Sequence, residues 1–434
     1  MSAQPAAPPS VPFERAAIAQ SDRGKRVKRR DYLAEGCIPV IDQGQAPVGG
    51  YINDEGFAFI GELPVVLFGD HTRAVKLVDR RFAVGADGIK IFRPAEGVRA
   101  KYLYYWMKSA PLQDRGYGRH YQYLRQLSIP LPSLTDQDSI VAEIEKQLSR
   151  LDQAVANLKR VKGNLKRYKA ATLKAAVTGR LVPVEDVLAR REKRSYENGD
   201  QLMQRILKDR RVMAASKGKY KEPAPVNVDL PEQPLGWAWA TIESLTTKVS
   251  DGVHKKPVYR TSGVPFVTVK NLTAGEGISF EELNYISEED HREFCKRTHP
   301  EKGDLLLSKD GTLGVVRLVN TDRAFSIFVS VALVKPVLKE ISRYLEIALE
   351  SPILQEQMVP KGSGLQHIHL EDLRRDCIPV PPLSEQRRIV VEVDRRLSIV
   401  REVETEVDAN LKRAQGLRQA VLARVFGGGR NGLD

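Results

Sequence analysis

The sequence predicts an α+β chain. Two globular domains are joined by two long helices packed as an antiparallel coiled coil, and the whole carries a pseudo-twofold internal repeat. Three observations lead there. The phrase SIPLPSLTDQDSIVAEIEKQLSRLD from Ser128 returns as CIPVPPLSEQRRIVVEVDRRLSIVR from Cys377. Each phrase opens a sustained heptad of apolar residues. Each is preceded by a long stretch of short β-like runs punctuated by turn glycines.

Residues 1–12, MSAQPAAPPSVP, lack the basic and apolar regions of a secretory signal and read as a short disordered tail. A first globular domain comes next, at 13–133. Its strand candidates are CIPVIDQG, PVVLFG, RFAVGAD and IKIFRP, with one helix at KYLYYWMKS. Near its start RGKRVKRR, Arg23–Arg30, holds Lys25, Arg26, Lys28, Arg29 and Arg30. That cluster suits an exposed loop, a targeting-like patch or a clamp on a phosphate backbone.

The central helix is expected at 134–180. Prolines bar SIPLPSL from a helix interior, and Thr135 or Asp136 can cap the helix that starts beyond it. Ile144, Leu151, Leu158 and Leu165 recur every seven residues, with Leu148, Val155, Val161 and Tyr168 between them. From Ile140 to Leu173 such a helix runs about 50 Å. Gly179 stops it. The plainer reading, an ordinary helical domain, fits less well because the stripes are long and the sequence between them is not helical.

A connector at 181–235 can hold a basic helix in its middle, and its Pro-rich end reads as an extended linker. From Arg150 to Glu222 there are 20 Lys and Arg against 8 Asp and Glu, nearly all of the chain's formal +13. A charge run is often only a solvated helix face. Concentrated between two larger segments, it favours a polyanionic partner, nucleic acid first.

The second domain, 236–382, contains VPFVTVKNL, GDLLLSKDGTLGVVRLV and FSIFVSVALVKP, with a helix at SRYLEIALES. The C-terminal helix, 383–427, is capped by Ser384. It repeats Val393, Val400, Val407 and Ala414, with Leu397, Val403, Leu411 and Leu417 between, and Gly427–Gly429 ends it before a tail at 428–434. The register of the repeat extends upstream, where His120, Leu124 and Arg125 match His369, Leu373 and Arg374.

Several classes are disfavoured. No run reaches the roughly 18 apolar residues of a membrane span. Cys37, Cys295 and Cys377 are scattered, which fits a reducing cytoplasm. There is no phosphate-binding GxxxxGK[ST] loop and no NPPY- or DPPY-like phrase of an amino-methyltransferase. His367 and His369 form a lone HxH, a weak metal signal.

With its phrases IPLPSLTDQ and IPVPPLSEQ, the chain resembles the specificity subunits of type I restriction–modification systems over nearly its full length. GDHTR, FAVGADG and GYGRHYQYL in the first half support the likeness, as do DGVHKKPVY, GDLLLSKDGTLG and GSGLQHIHLEDL in the second. The first boundary has Asp136 where Glu is common. SVPFERAAIA stands where the second half opens with GWAW. The resemblance implies two target-recognition domains reading an asymmetric, gapped double-stranded DNA target. It implies a non-catalytic chain that binds no cofactor, and two modification subunits that use S-adenosylmethionine. Restriction subunits that use ATP and Mg are implied too, in a cytoplasmic assembly.

Donor and acceptor patterns in the major groove then nominate base readers. In the first domain these are His71, Arg73, Arg119, His120, Tyr121 and Tyr123. In the second they are His254, Lys255, Lys256, Tyr259, Lys270, Asn271, Lys309, Lys361 and Gln366. The tyrosines equally suit half-buried packing, and His71 alone can be read as catalytic. Two readings compete with recognition. An enzyme with an unfamiliar site predicts turnover on DNA by the chain alone. A coiled-coil scaffold binding nucleic acid predicts no gapped preference.

Overall fold

The computed structural model describes residues 8–113, 116, 118–215, 220–226, 230–362 and 366–426. These divide into two compact units, one running to Val161 and resuming at Glu406, the other spanning Lys162–Thr405.

In the first unit the order is β1 (Ser10–Pro12), α1 (Phe13–Ala16), β2 (Ala17–Gln20), β3 (Arg26–Val27), β4 (Ile38–Ile41) and β5 (Gly50–Ile52). After these come β6 (Val65–Gly69), β7 (Val75–Val78), β8 (Ala83–Gly85), β9 (Ile89–Pro94), α2 (Ala100–Ser109), α3 (Tyr121–Leu124) and β10 (Ser128–Pro130). The long helix α4 (Leu134–Ala176) leads into α5 (Glu185–Glu192) and α6 (Gly199–Ala215). Next come β11 (Ala238–Thr241), α7 (Ile242–Leu245), β12 (Thr246–Asp251), β13 (Val264–Val267), α8 (Val269–Thr273), β14 (Asn284–Ile286) and α9 (Glu288–Arg297). The remainder is β15 (Leu305–Ser308), β16 (Val316–Leu318), β17 (Ser326–Ile327), β18 (Val331–Pro336), α10 (Ser342–Glu350), α11 (Pro352–Gln357), α12 (Leu370–Arg375), β19 (Cys377–Val380) and the long helix α13 (Leu383–Phe426).

The two units repeat one topology. A four-stranded sheet runs β2-β9-β6-β7 in the first and β12-β18-β15-β16 in the second. A second sheet places β8-β4-β5 where the other unit has β17-β13-β14, and β3 is extra. Each unit also pairs its opening strand with the strand that precedes a long helix, β1 with β10 and β11 with β19. SVPFERAAIA therefore occupies the place of the GWAW opening. Residues 10–12 are a strand rather than part of a tail, because β10 supplies their ladder partners.

The shared Pro-rich phrases are held by the same two kinds of bond. Tyr102 donates its hydroxyl hydrogen to the Pro130 carbonyl at 2.7 Å, and Tyr344 does the same to Pro379 at 2.7 Å. Gln137 and Gln386, both buried, donate to Pro132 and Pro381 at 2.9 and 2.8 Å. The proline carbonyls lack ladder partners, and these side chains satisfy them in a buried setting where an orphan costs about 1–3 kcal/mol.

α4 and α13 pack together in antiparallel order. In the first unit Val141 and Ile144 share a core with Leu422, and Arg418 pairs with Asp152. In the second, Leu173, Ala176 and Val177 share one with Ile389, Val393 and Leu397. The heptad predicts the main seam of α13 well, with Val393, Val400, Val407 and Ala414 all buried. It overstates the intermediate positions. Val161, Tyr168 and Leu417 are 38, 46 and 54 % exposed. An α-helix turns every 3.6 residues, so a 3.5-residue stripe drifts away from a single partner helix. Gly179 adopts φ 65°, and a Cβ there would meet Pro234 at 2.4 Å, so glycine is required where α4 ends. The Gly427–Gly429 stop lies outside the described residues.

Two further readings are corrected. The connector does contain α6, but Leu202 and Ile206 are fully buried, so it belongs to the second core rather than linking loosely. In VPFVTVKNL only the first half is a strand. Thr268 and Asn271 form a reciprocal capping box that turns the rest into α8.

Asp376, at the end of α12, has a buried Oδ2 with no hydrogen-bond partner among the described residues. Burial, then the neighbouring Asp372, pushes its carboxyl up to about 7. A raised acid holds its proton in the folded state, so stability falls as pH rises from the ordinary aspartate range to about 7. Asp376→Asn is expected to stabilise the protein by about 2–4 kcal/mol at pH 8 and to change little at pH 4. Chemical denaturation at the two pH values checks this. Equal effects at both would exclude the carboxyl as the cause.

Candidate nucleic-acid interface

In the first unit the site forms where β6 turns into β7. GDHTR makes the turn, and Arg73 takes a left-handed φ of 59°. Its N–H donates to Gly69 at 2.8 Å and its guanidinium to the Leu112 carbonyl at 2.9 Å. Gln43, just beyond β4, accepts from the His71 N–H at 3.3 Å, and Thr72 donates to the Gln43 carbonyl. Asp70 joins this turn to the second phrase. Its carboxylate accepts from the Tyr121 N–H at 2.8 Å and its carbonyl from the His120 N–H at 2.8 Å.

Several nominated residues therefore meet here. His71 and Arg73 are half-buried in the turn, Arg119 is exposed beside it, and Tyr121 and Tyr123 sit on α3. Tyr121 packs 5.6 Å from Phe92. His120 is 1 % exposed, and its Nδ1 lies 2.9 Å from the Asp70 carbonyl. It holds the two phrases together and is withdrawn as a base reader.

In the second unit the same place is the turn after β15. Asp251 is its buried anchor. Arg297 from α9 pairs with its carboxylate, His254 Nε2 lies 3.2 Å away and Lys309 Nζ 3.7 Å. Burial pushes this carboxyl up, but Arg297, then His254 and Lys309, hold it below the ordinary aspartate range. The Lys309 carbonyl accepts from the Ile368 N–H at 2.9 Å, and Lys361 and His367 exchange backbone bonds at 3.0 Å. His254, Lys309 and Lys361 thus converge, with exposed Gln366 next to His367.

Lys309 is itself 9 % exposed and held between Asp251 and Asp310, so it shapes the turn rather than reaching outward. Asn271 is buried in the capping box and serves α8. Lys255, Lys256 and Tyr259 occupy the exposed loop after β12, with Lys256 Nζ 5.8 Å over the Tyr259 ring. Lys270 is exposed on α8, a separate element. Lys361 pairs with Asp372 at 2.6 Å.

The basic runs divide. Lys25, Lys28, Arg29 and Arg30 are exposed, whereas Arg26 is tied to Asp22 and the Ile89 carbonyl. In the connector, Arg190 pairs with Asp186, Arg205 with Glu197 and Arg211 with Glu222 at 2.7–2.9 Å. Much of that charge is neutralised locally. Exposed cations remain along α4 at Lys159, Arg160, Lys166 and Arg167.

Sequence reasoning missed Gln43, Asp70, Asp251 and Arg297. Asp70 sits inside GDHTR, so the motif itself could have pointed to it. Arg297 is 46 residues from Asp251, and no spacing rule links them. Among the described residues no group of three His, Cys, Asp or Glu is placed to hold a metal, and no helix is long and apolar enough to cross a membrane.

Residues 236–408 match the family described as the type I restriction modification DNA specificity domain. The chain is 26 % identical over 308 residues to the type I restriction enzyme EcoBI specificity subunit of Escherichia coli, covering 70 % of this chain and 59 % of that one. It is 23 % identical over 312 residues to the EcoKI specificity subunit of Escherichia coli strain K12, covering 70 and 57 %. The chain thus spans less than three fifths of the length of these curated relatives. A solved chain from work on complex assembly and conformational transition of the type I R-M system shares its fold. The TM-score is 0.59 at 18 % identity, covering 99 % of this chain and all of that one.

Proposed function

We propose that the chain is a specificity subunit of a type I restriction–modification system and that it reads a bipartite, asymmetric, gapped sequence in double-stranded DNA. The observation that carries this reading is one topology used twice with different side chains at the same turn. GDHTR stands after β6, and SKDGTLG stands after β15. Equal frames with unequal tips suit two unlike half-sites.

In this reading His71, Arg73, Arg119 and Tyr123 serve one half-site. His254, Lys255, Lys256, Tyr259, Lys361 and Gln366 serve the other. Asp70 and Asp251 position the turns that carry them. Lys25, Lys28, Arg29 and Arg30 contact phosphates and give affinity that falls with salt. The chain does no chemistry itself. The duplicated helices offer equivalent surfaces to two modification subunits carrying S-adenosylmethionine, and restriction subunits using ATP and Mg join them in the cytoplasm.

The test is long-read adenine-methylation mapping of the host genome with the gene intact and deleted. The expected result is loss of one gapped, asymmetric motif on deletion. A methylome identical in both strains, while the system is expressed, would count against the assignment.

A further inference from the structure

The first unit contains a basic groove that the recognition turns do not account for. It has a volume of about 910 Å³ and runs along β7. β7 is an edge strand, so alternate backbone N–H groups face away from the sheet. Among the described residues, Arg73, Lys76, Arg80, Lys108 and Arg418 line it, with Asp79 as the one acid of its wall. Two more carboxylates approach these cations. Asp42 lies 3.6 Å from Lys76, and Asp152 pairs with Arg418. The balance stays positive. Thr72 and Arg73 belong to both the groove and the β6–β7 turn, so the two features are continuous.

The groove is not a by-product of the repeated fold. On the corresponding edge of the second unit, Arg317 of β16 is turned onto Glu350 at 3.1 Å, with the Leu272 and Gly275 carbonyls at 3.1 and 2.9 Å. The lining also says which polyanion fits. Among the described residues its one aromatic is Tyr104, and Lys108 Nζ stands 5.0 Å over that ring. An unstacked base finds no open platform among the described residues, whereas phosphates find cations and backbone donors.

We propose that this groove holds the phosphate backbone of duplex DNA beside the half-site read by the first unit. The inference rests on the DNA-reading function above and adds a contact that carries no sequence information. Its test compares the full chain with the double variant Arg80→Gln/Lys108→Gln, by fluorescence anisotropy on duplexes with the mapped target and with a scrambled one. Salt is varied throughout, and matched thermal melts confirm folding. Each lost phosphate contact lowers the slope of log K against log[salt] by about 0.9, so a drop of about 2 is expected, equal on both duplexes.

An unchanged slope, with wild type still preferring the target, overturns the groove and leaves the function standing. A loss confined to the target duplex makes these side chains base readers and overturns the backbone role. Inorganic tripolyphosphate is the remaining arm. Stoichiometric binding that the variant abolishes, with the DNA slope intact, would make this a small-polyphosphate site and overturn the proposal. Wild type binding neither duplex would end both readings.

Discussion

Deleting one heptad from each long helix, Leu151–Asn157 together with Val400–Glu406, is expected to abolish methylation at the original motif and to move any remaining activity to a shorter gap. Seven residues shorten a helix by about 10.5 Å and return the apolar stripe to within about 20° of its former direction. The apolar groups that seat the ends lie outside the deleted stretches, while the Asp152–Arg418 pair is lost. Val141 and Ile144 share a core with Leu422, and Leu173 shares one with Ile389 and Val393. Both ends therefore keep their packing while the span between them contracts. At about 10 base pairs per 34 Å turn, 10.5 Å corresponds to about three base pairs and a rotation of about 100°. A half-site displaced that far loses its base contacts, each good bidentate pair being worth about 1–3 kcal/mol. Affinity for the original target is then expected to fall at least ~100-fold, on the scale of 1.4 kcal/mol per tenfold. Methylation mapping in a host carrying only the shortened gene reads the new gap. An unchanged gap would refute the idea that these helices act as a ruler.

Glu185→Ala is expected to destabilise the second unit by about 3 kcal/mol at neutral pH, at the low end of the range for breaking a buried pair because both arginines are about a third exposed. Glu185 is fully buried at the start of α5. Arg194 and Arg388 each approach its carboxylate at 2.6 Å. Its N–H donates to Glu385 at 2.8 Å, and the Trp237 indole donates to the other Glu385 oxygen at 3.1 Å. Connector, opening strand and α13 meet at this one cluster. Burial pushes the Glu185 carboxyl up, but the two arginines hold it below the ordinary glutamate range. A depressed acid contributes stability above its unfolded pKa and loses it as pH falls. The deficit of the variant should therefore be full at pH 7 and shrink in acid. Urea denaturation followed by tryptophan fluorescence measures both. A deficit that stayed constant into acid would point to lost packing instead of lost charge.

The repeat itself exposes what a sequence can and cannot tell. Glu385 and its counterpart Asp136 occupy the same position in the two phrases, yet their environments are opposite. Glu385 is fully buried with its carboxyl pushed up to about 7, chiefly by burial, whereas Asp136 is exposed and bonded to Ser133 at 2.7 Å. Neither phrase shows which of the two is covered. The difference comes from Trp237 and α5, which cover one copy. His120 and Asn271 teach the same lesson at the site. Both have side chains suited to reading bases, and both are used to close a turn. Gln137, by contrast, could be anticipated as part of a repeat. Its partner, the Pro132 carbonyl, belongs to the duplicated phrase itself.

The sequence by itself determined the architecture of this chain: two α+β domains, two long helices in one register, and the seam on which they pack. Those features are written in local periods of two and seven, and each residue that sets them acts through neighbours a few positions away. Only the tertiary structure decided which polar side chains are exposed at the turns after β6 and β15 and which are held inside. Asp70 binds a segment 51 residues on, Asp251 an arginine 46 residues on, and Glu185 a glutamate 200 residues on. A charge or amide can stay buried only where such a distant partner satisfies it, and that choice is made by chain closure rather than by local spacing.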